Sequence, residues 1–196
     1  MSIPALPRFR LRPTPAIPWR PLTDAEWRAL ASILRAATGR PPADARRRWD
    51  GIFWVACSKG PWRGMPAEFG RADSAHRALR RAAAARQLHA MLARIGPATA
   101  RPDEPLLGIA WFIARAFRRA FRVMASPFAL PTQLGLESAL PSHPAFLPST
   151  TLSEGLADLM PKIVKEGSYR HPAVLRCLFL LLKRAGGDPR HWKTTG

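Results

Sequence analysis

The chain has 196 residues, a formal net charge of +18, 21 prolines and a single tyrosine. Charge of that size makes a polyanion the first expected partner. The composition argues against a sheet-built fold, and no stretch approaches the roughly 20 apolar residues of a membrane-spanning helix. The two cysteines, Cys57 and Cys177, fall inside apolar helical patterns, which predicts buried free thiols, with a single disulfide as the alternative. Residues 1–20 are broken by prolines and arginines and form no signal peptide, so a cytoplasmic protein is expected.

Residues 1–21 alternate proline with arginine and predict a basic extended arm. It is either a disordered tail or an arm in which Arg8, Arg10 and Arg12 track phosphates. The first helix opens on a capping box, with Thr23 as N-cap and Glu26 three residues on. Leu22 and Trp27 form the matching hydrophobic staple. Trp27, Leu30, Ala31 and Leu34 then repeat at i, i+3, i+4 and i+7. Gly39 and the pair Pro41-Pro42 are placed to end that helix.

A second helix is expected from about Ala45 to Cys57, with Trp49, Ile52, Phe53 and Ala56 on its core face. Arg46, Arg47 and Arg48 crowd its first turn, where positive charge opposes the helix dipole. These arginines are either phosphate contacts or a solvated basic face. A turn follows at Gly60-Pro61-Trp62, bearing Lys59 and Arg63 as further basic contacts. One short helical turn is expected from Met65 to Phe69, with a tight corner at Gly70.

A third helix is expected from Asp73 or Ser74. On a helical wheel Ala75, Leu79 and Ala82 fall on one side. Arg77, Arg80 and Arg81 fall on the other, with Ser74 beside them and His76 at the border. That arrangement suits either a solvated face or a groove-entering one. Helix, turn, short helix, glycine and arginine-studded helix together predict a homeodomain-like helix-turn-helix unit.

Residues 22 to about 95 resemble the N-terminal domain of IS5-type (IS4/5 family) insertion-sequence transposases. The match is carried by Leu22-Thr23-Asp24-Ala25-Glu26-Trp27, by Asp50-Gly51-Ile52-Phe53-Trp54-Val55, and by the string from Gly60-Pro61-Trp62-Arg63 to Phe69-Gly70. It continues into the helix bearing Arg77, Arg80 and Arg81. Gly60 stands where the family usually has a cysteine, and His76 or Leu79 where it usually has an aromatic. The resemblance implies a helical DNA-binding module that holds the element's terminal repeats. It does not extend to the family's metal-dependent catalytic part. The acids after residue 95 are Asp103, Glu104, Glu137, Glu154, Asp158, Glu166 and Asp188, and none follows a Val/Ile-rich strand pattern. Neither an enzyme nor a cofactor is expected.

Leu106 to Met124 reads as one amphipathic helix. Ile109, Phe112, Ile113, Ala116, Phe117, Ala120 and Phe121 form its apolar face, and Arg115, Arg118, Arg119 and Arg122 its basic one. It is a packed helix with a solvated basic face, a second DNA-facing surface, or a membrane-surface or partner-binding helix. Residues 127–152 are expected as a Pro/Ser-rich linker. Ser153 is expected to cap a helix ending or kinking at Pro161, and Pro172 to open a last helix carrying Val174, Leu175, Leu178, Leu181 and Leu182. Two such helices cannot bury this much leucine alone, which points to docking on the first domain or a homodimer through the C-terminal helices.

The expected architecture is therefore all-α, a helix-turn-helix domain (22–95) followed by amphipathic helices at 96–126 and 153–196. The expected partner is double-stranded DNA, with no small-molecule substrate and a nucleoid-associated location, a membrane-surface or partner-binding role for the 106–124 helix being the alternative. The 22–95 segment is expected to fold by itself.

Overall fold

The computed structural model describes residues 10–38, 44–97, 99–124 and 128–192. Arg8, Gly39, Pro41 and Pro42 lie outside the described residues. Among the described residues the protein is all-α, with one isolated parallel bridge between Arg12 and Leu136 and no strand. Two compact units form, Met1–Pro141 and Ser142–Gly196.

In the first unit, α1 spans Asp24–Thr38. Its capping box closes in both directions. The Thr23 N–H donates to Glu26 Oε2 at 2.8 Å, and the Glu26 N–H donates to Thr23 Oγ1 at 3.3 Å. Arg20 grips the same carboxylate with both terminal nitrogens, at 2.8 and 2.5 Å. Burial would raise the Glu26 carboxyl, but the Arg20 and Thr23 bonds hold it below its ordinary value. The cap is thus a buried hydrogen-bond network as well as a local turn.

Next come α2 (Ala45–Ser58), α3 (Ala72–Ala84) and α4 (Gln87–Arg94). The apolar faces read from the sequence are buried: Trp49, Ile52, Phe53 and Ala56 on α2, and Ala75, Leu79 and Ala82 on α3. The stretch 106–124 is not one uniform helix. A 3-10 turn at Pro105–Ile109 leads into α5 (Ala110–Ala120), and another follows at Phe121–Val123. Phe112, Ile113, Ala116 and Phe117 on α5 are fully buried, packed over α2 and α4. The Phe53 and Phe112 rings lie 5.8 Å apart. The helices of 22–95 therefore share their core with α5, and α5 has no apolar face left for a membrane surface.

Two segments expected to be loose are ordered parts of this unit. Within 127–152, residues 129–134 form α6 and Glu137–Ala139 a 3-10 turn, because Leu134, Leu136, Ala139 and Leu140 are apolar enough to be buried. Residues 10–21 are extended but tied down. The Arg12 N–H donates to Gly135 O at 2.8 Å, the Glu137 N–H to Arg12 O at 3.1 Å, and the Thr14 N–H to Ser138 Oγ at 2.8 Å. Trp19 Nε1 donates to Asp50 O at 3.2 Å, and the Leu22 N–H to Asp50 Oδ1 at 2.9 Å.

The second unit is a hairpin of α7 (Thr150–Glu166) and α8 (Pro172–Gly186), followed by the short α9 (Pro189–Trp192). Ser149, not Ser153, is the N-cap of α7; its Oγ accepts from the Leu152 N–H at 3.2 Å. Pro161 does not end the helix, because Leu156 and Ile163 on either side of it both pack into the core with Leu178 and Ala185 of α8. Cys177 is exposed on α8, while the partly buried Cys57 sits in the first unit. Both are free thiols.

Candidate nucleic-acid interface

The presentation of α3 depends on the connector that carries the chain from α2. α2 ends at Lys59, which takes the left-handed conformation at φ 59°. Two 3-10 turns follow, Trp62–Gly64 and Ala67–Phe69, and Gly70 turns the corner at φ +90°. Positive φ of that kind favours glycine.

The connector is clamped from three sides. Met65 and Phe69 are buried against α2 at Gly51, where an added Cβ would come within 2.6 Å of Phe69 Cβ and 2.9 Å of Met65 Sδ. The Phe69 ring meets the Trp19 ring edge-on at 5.3 Å. From α5, Arg119 donates to Gly60 O at 2.6 Å and Arg115 donates to Ala56 O at 3.3 Å. The Arg115 cation on Ala56 O, in the last turn of α2, is favourably placed against the helix dipole. Arg119 also lies over the Trp62 ring at 5.3 Å, and His76 of α3 approaches the same ring at 5.2 Å.

On α3 the packed side is Ala75, Leu79, Ala82 and Ala83, and Arg77, Arg80 and Arg81 are exposed. Ser74 and His76 are half-buried at the edges. The nearest acid to Arg77 is Asp73, 4.0 Å away with both side chains well exposed, too loose a pair to neutralise the helix. Residues 71–86 hold five arginines against one acid.

The other sequence-predicted residues divide. Arg46 pairs with Asp24 at 2.6 Å and donates to Leu22 O at 2.5 Å, contacts that link α2 to the first turn of α1. Arg47 is exposed, its guanidinium beside Gly70. Lys59 and Arg63 are exposed on the connector. Arg10 and Arg12 are exposed on the fixed extended segment, and Arg8 lies outside the described residues. The supporting roles of Arg115 and Arg119 were not visible in the sequence beyond their spacing, because their acceptors are backbone carbonyls 59 residues away. Among the described residues no group of three or more His, Cys, Asp and Glu side chains could hold a metal ion. Nor is any described helix long and apolar enough to cross a membrane.

An all-α unit that packs one face of a short helix and leaves three arginines on the other defines a basic helical module. Residues 22–92 match the model of the family described as "Putative transposase of IS4/5 family (DUF4096)". That match covers α1 to α4 and the connector, and stops before α5. No curated protein and no solved structure matches the chain.

Proposed function

We propose that this protein is a non-catalytic, sequence-specific DNA-binding protein in which α2, the connector and α3 act as a helix-turn-helix and α3 is the recognition helix. The observation that carries this is the division of α3 into a buried Ala/Leu face and an exposed Arg77, Arg80 and Arg81 face, inside the segment matching the transposase family. Arginine can bond a guanine edge with two parallel hydrogen bonds. Arg47, Lys59, Arg63, Arg10 and Arg12 supply phosphate contacts around it. Biologically this fits a nucleoid-associated regulator, or a terminal-repeat binder whose catalysis is supplied in trans.

The test is a binding series on recovered target DNA. Arg77→Ala or Arg81→Ala costs about 1–3 kcal/mol and relaxes preference at one base position, whereas Arg10→Ala weakens all sequences equally. Equal, sequence-independent losses for all three would remove the recognition-helix assignment. Genome-wide recovery of bound DNA separates the two roles: promoters for a regulator, inverted repeats for a terminal-repeat binder.

We also infer that the second unit pairs with another copy. Its core is small, and Leu175, Phe179 and Leu182 are each more than half exposed at i, i+4 and i+7 on α8. A unit of this size rarely keeps such a stripe in water. Light scattering should report a dimer that Phe179→Ser converts to monomer; a monomeric wild type would exclude the pairing.

A further inference from the structure

We propose that Arg115, Arg118, Arg119 and Arg122 form a phosphodiester clamp, a second contact for duplex DNA beside α3 and outside the family-matched segment. The proposal rests on α3 binding DNA. At about 100° per residue these four positions fall within one stripe about 100° wide, opposite the fully buried Ile113 and Phe117.

The first argument is charge. The other guanidiniums drawn into this unit have carboxylates: Arg20 has Glu26, Arg46 has Asp24, Arg48 has Asp44 and Arg94 has Glu104. Arg115, Arg118 and Arg119 are also half-buried, yet none has a carboxylate within ion-pair distance among the described residues. Two of them spend hydrogen bonds on the carbonyls of Ala56 and Gly60, which offset only part of a full positive charge. Arg119 Nε is buried with no partner. Partly desolvated like charges three and four residues apart are costly unless an anion joins them. Burial, and after it the charge of Arg115, works against the protonated forms of Arg118 and Arg119. A phosphate oxygen accepts from several guanidinium donors at once, which makes it the fitting counterpart.

The second argument is position. Trp62 contacts both Arg119 and His76 of α3. The 3-10 turn carrying Arg122 packs against α3. The α5 stripe is therefore continuous with the α3 surface through Trp62. A duplex seated on α3 brings a backbone along this edge, and the arginines here meet phosphates rather than bases.

The test uses the full chain, a duplex containing its preferred site, and affinity measured across a salt series. Arg118→Gln/Arg122→Gln is the variant of choice, since Arg115 and Arg119 brace the connector. Losing two phosphate contacts lowers the slope of log affinity against log salt by about 1.8. Sequence preference stays as in wild type, and the melting temperature of the free protein does not fall. Arg28→Gln/Arg101→Gln removes the same charge elsewhere on the unit and leaves the slope nearly unchanged. If the wild type binds through Arg77 but the α5 variant keeps its slope, or falls only as far as the control, the clamp is refuted and α3 stands. If the wild type binds no duplex at all, the DNA assignment fails and the clamp with it. Inorganic phosphate that stabilises wild type but not the α5 variant, with an unchanged DNA slope, would assign the stripe to free phosphate and overturn the clamp.

Discussion

Replacing Phe112 by alanine tests whether α5 completes the core of the family-matched helices. Phe112 has no exposed surface, and its ring meets that of Phe53, which is 1 % exposed. Deleting such a ring forfeits its transfer free energy and leaves a cavity bounded by helices that cannot collapse onto it, at a cost of about 3–5 kcal/mol. Set against a total of about 5–15 kcal/mol for a typical domain, that removes a large share of stability. With a urea slope near 2 kcal/mol per molar, the unfolding midpoint drops by about 2 M. Tryptophan fluorescence is the readout: six of the seven tryptophans lie in the first unit, and Trp49 is buried. A loss below about 1 kcal/mol would show that α5 is an accessory. The same reasoning predicts that a 22–95 fragment stays largely unfolded by circular dichroism while 10–141 folds. A cooperative melt for the shorter fragment would refute it.

Gly51→Ala forces a methyl group against Phe69 and Met65 and should destabilise by about 1–3 kcal/mol in chemical denaturation; a neutral result would mean the connector moves freely. Asp50→Ala strands the buried Leu22 N–H at a cost of about 1–3 kcal/mol, whereas Asp50→Asn keeps the acceptor and should be close to neutral. Burial raises the Asp50 carboxyl despite the opposing Leu22 bond and Arg46. Its native form therefore holds a proton longer than the unfolded chain does, and stability falls as pH rises through that window; Asp50→Asn should abolish this slope. Glu26 behaves oppositely. Its depressed value gives stability that is complete above the unfolded carboxyl range and lost as pH falls through the native value. Acid titration of Glu26→Gln should lack that loss, and Thr23→Ala should cost about 1 kcal/mol.

What could be read in advance was local. Thr23 and Glu26 are three residues apart, and the apolar faces of α2, α3 and α5 repeat at helical spacing, so each was visible without knowing what it packs against. The exposed arginines of α3 follow from the same wheel. The rest depends on partners far along the chain. The Arg46 contact with Asp24 was not legible because the two are 22 residues apart. The proline-rich stretches looked loose because their bonds run between residues 10–21 and 135–138, a pairing no local pattern encodes. Pro161 predicted a helix end or a kink; the helix does not end there, because burial of Leu156 and Ile163 outweighs one missing backbone bond.

The bonds joining Arg12 and Thr14 to Gly135, Glu137 and Ser138 also set the order of events during synthesis. Thr14 meets Ser138 across 124 positions, so the leading segment leaves the ribosome long before its acceptor is made. Until then the helices of the basic module, and α5 after them, emerge without the clasp. The clasp can close only after residue 138 has emerged, and a contact of such sequence separation is slow to form. A chain stalled before residue 135 would show its basic helix to nucleic acid while its core was still unclosed. The clasp therefore ties the finished form of the surface to completion of the whole first unit.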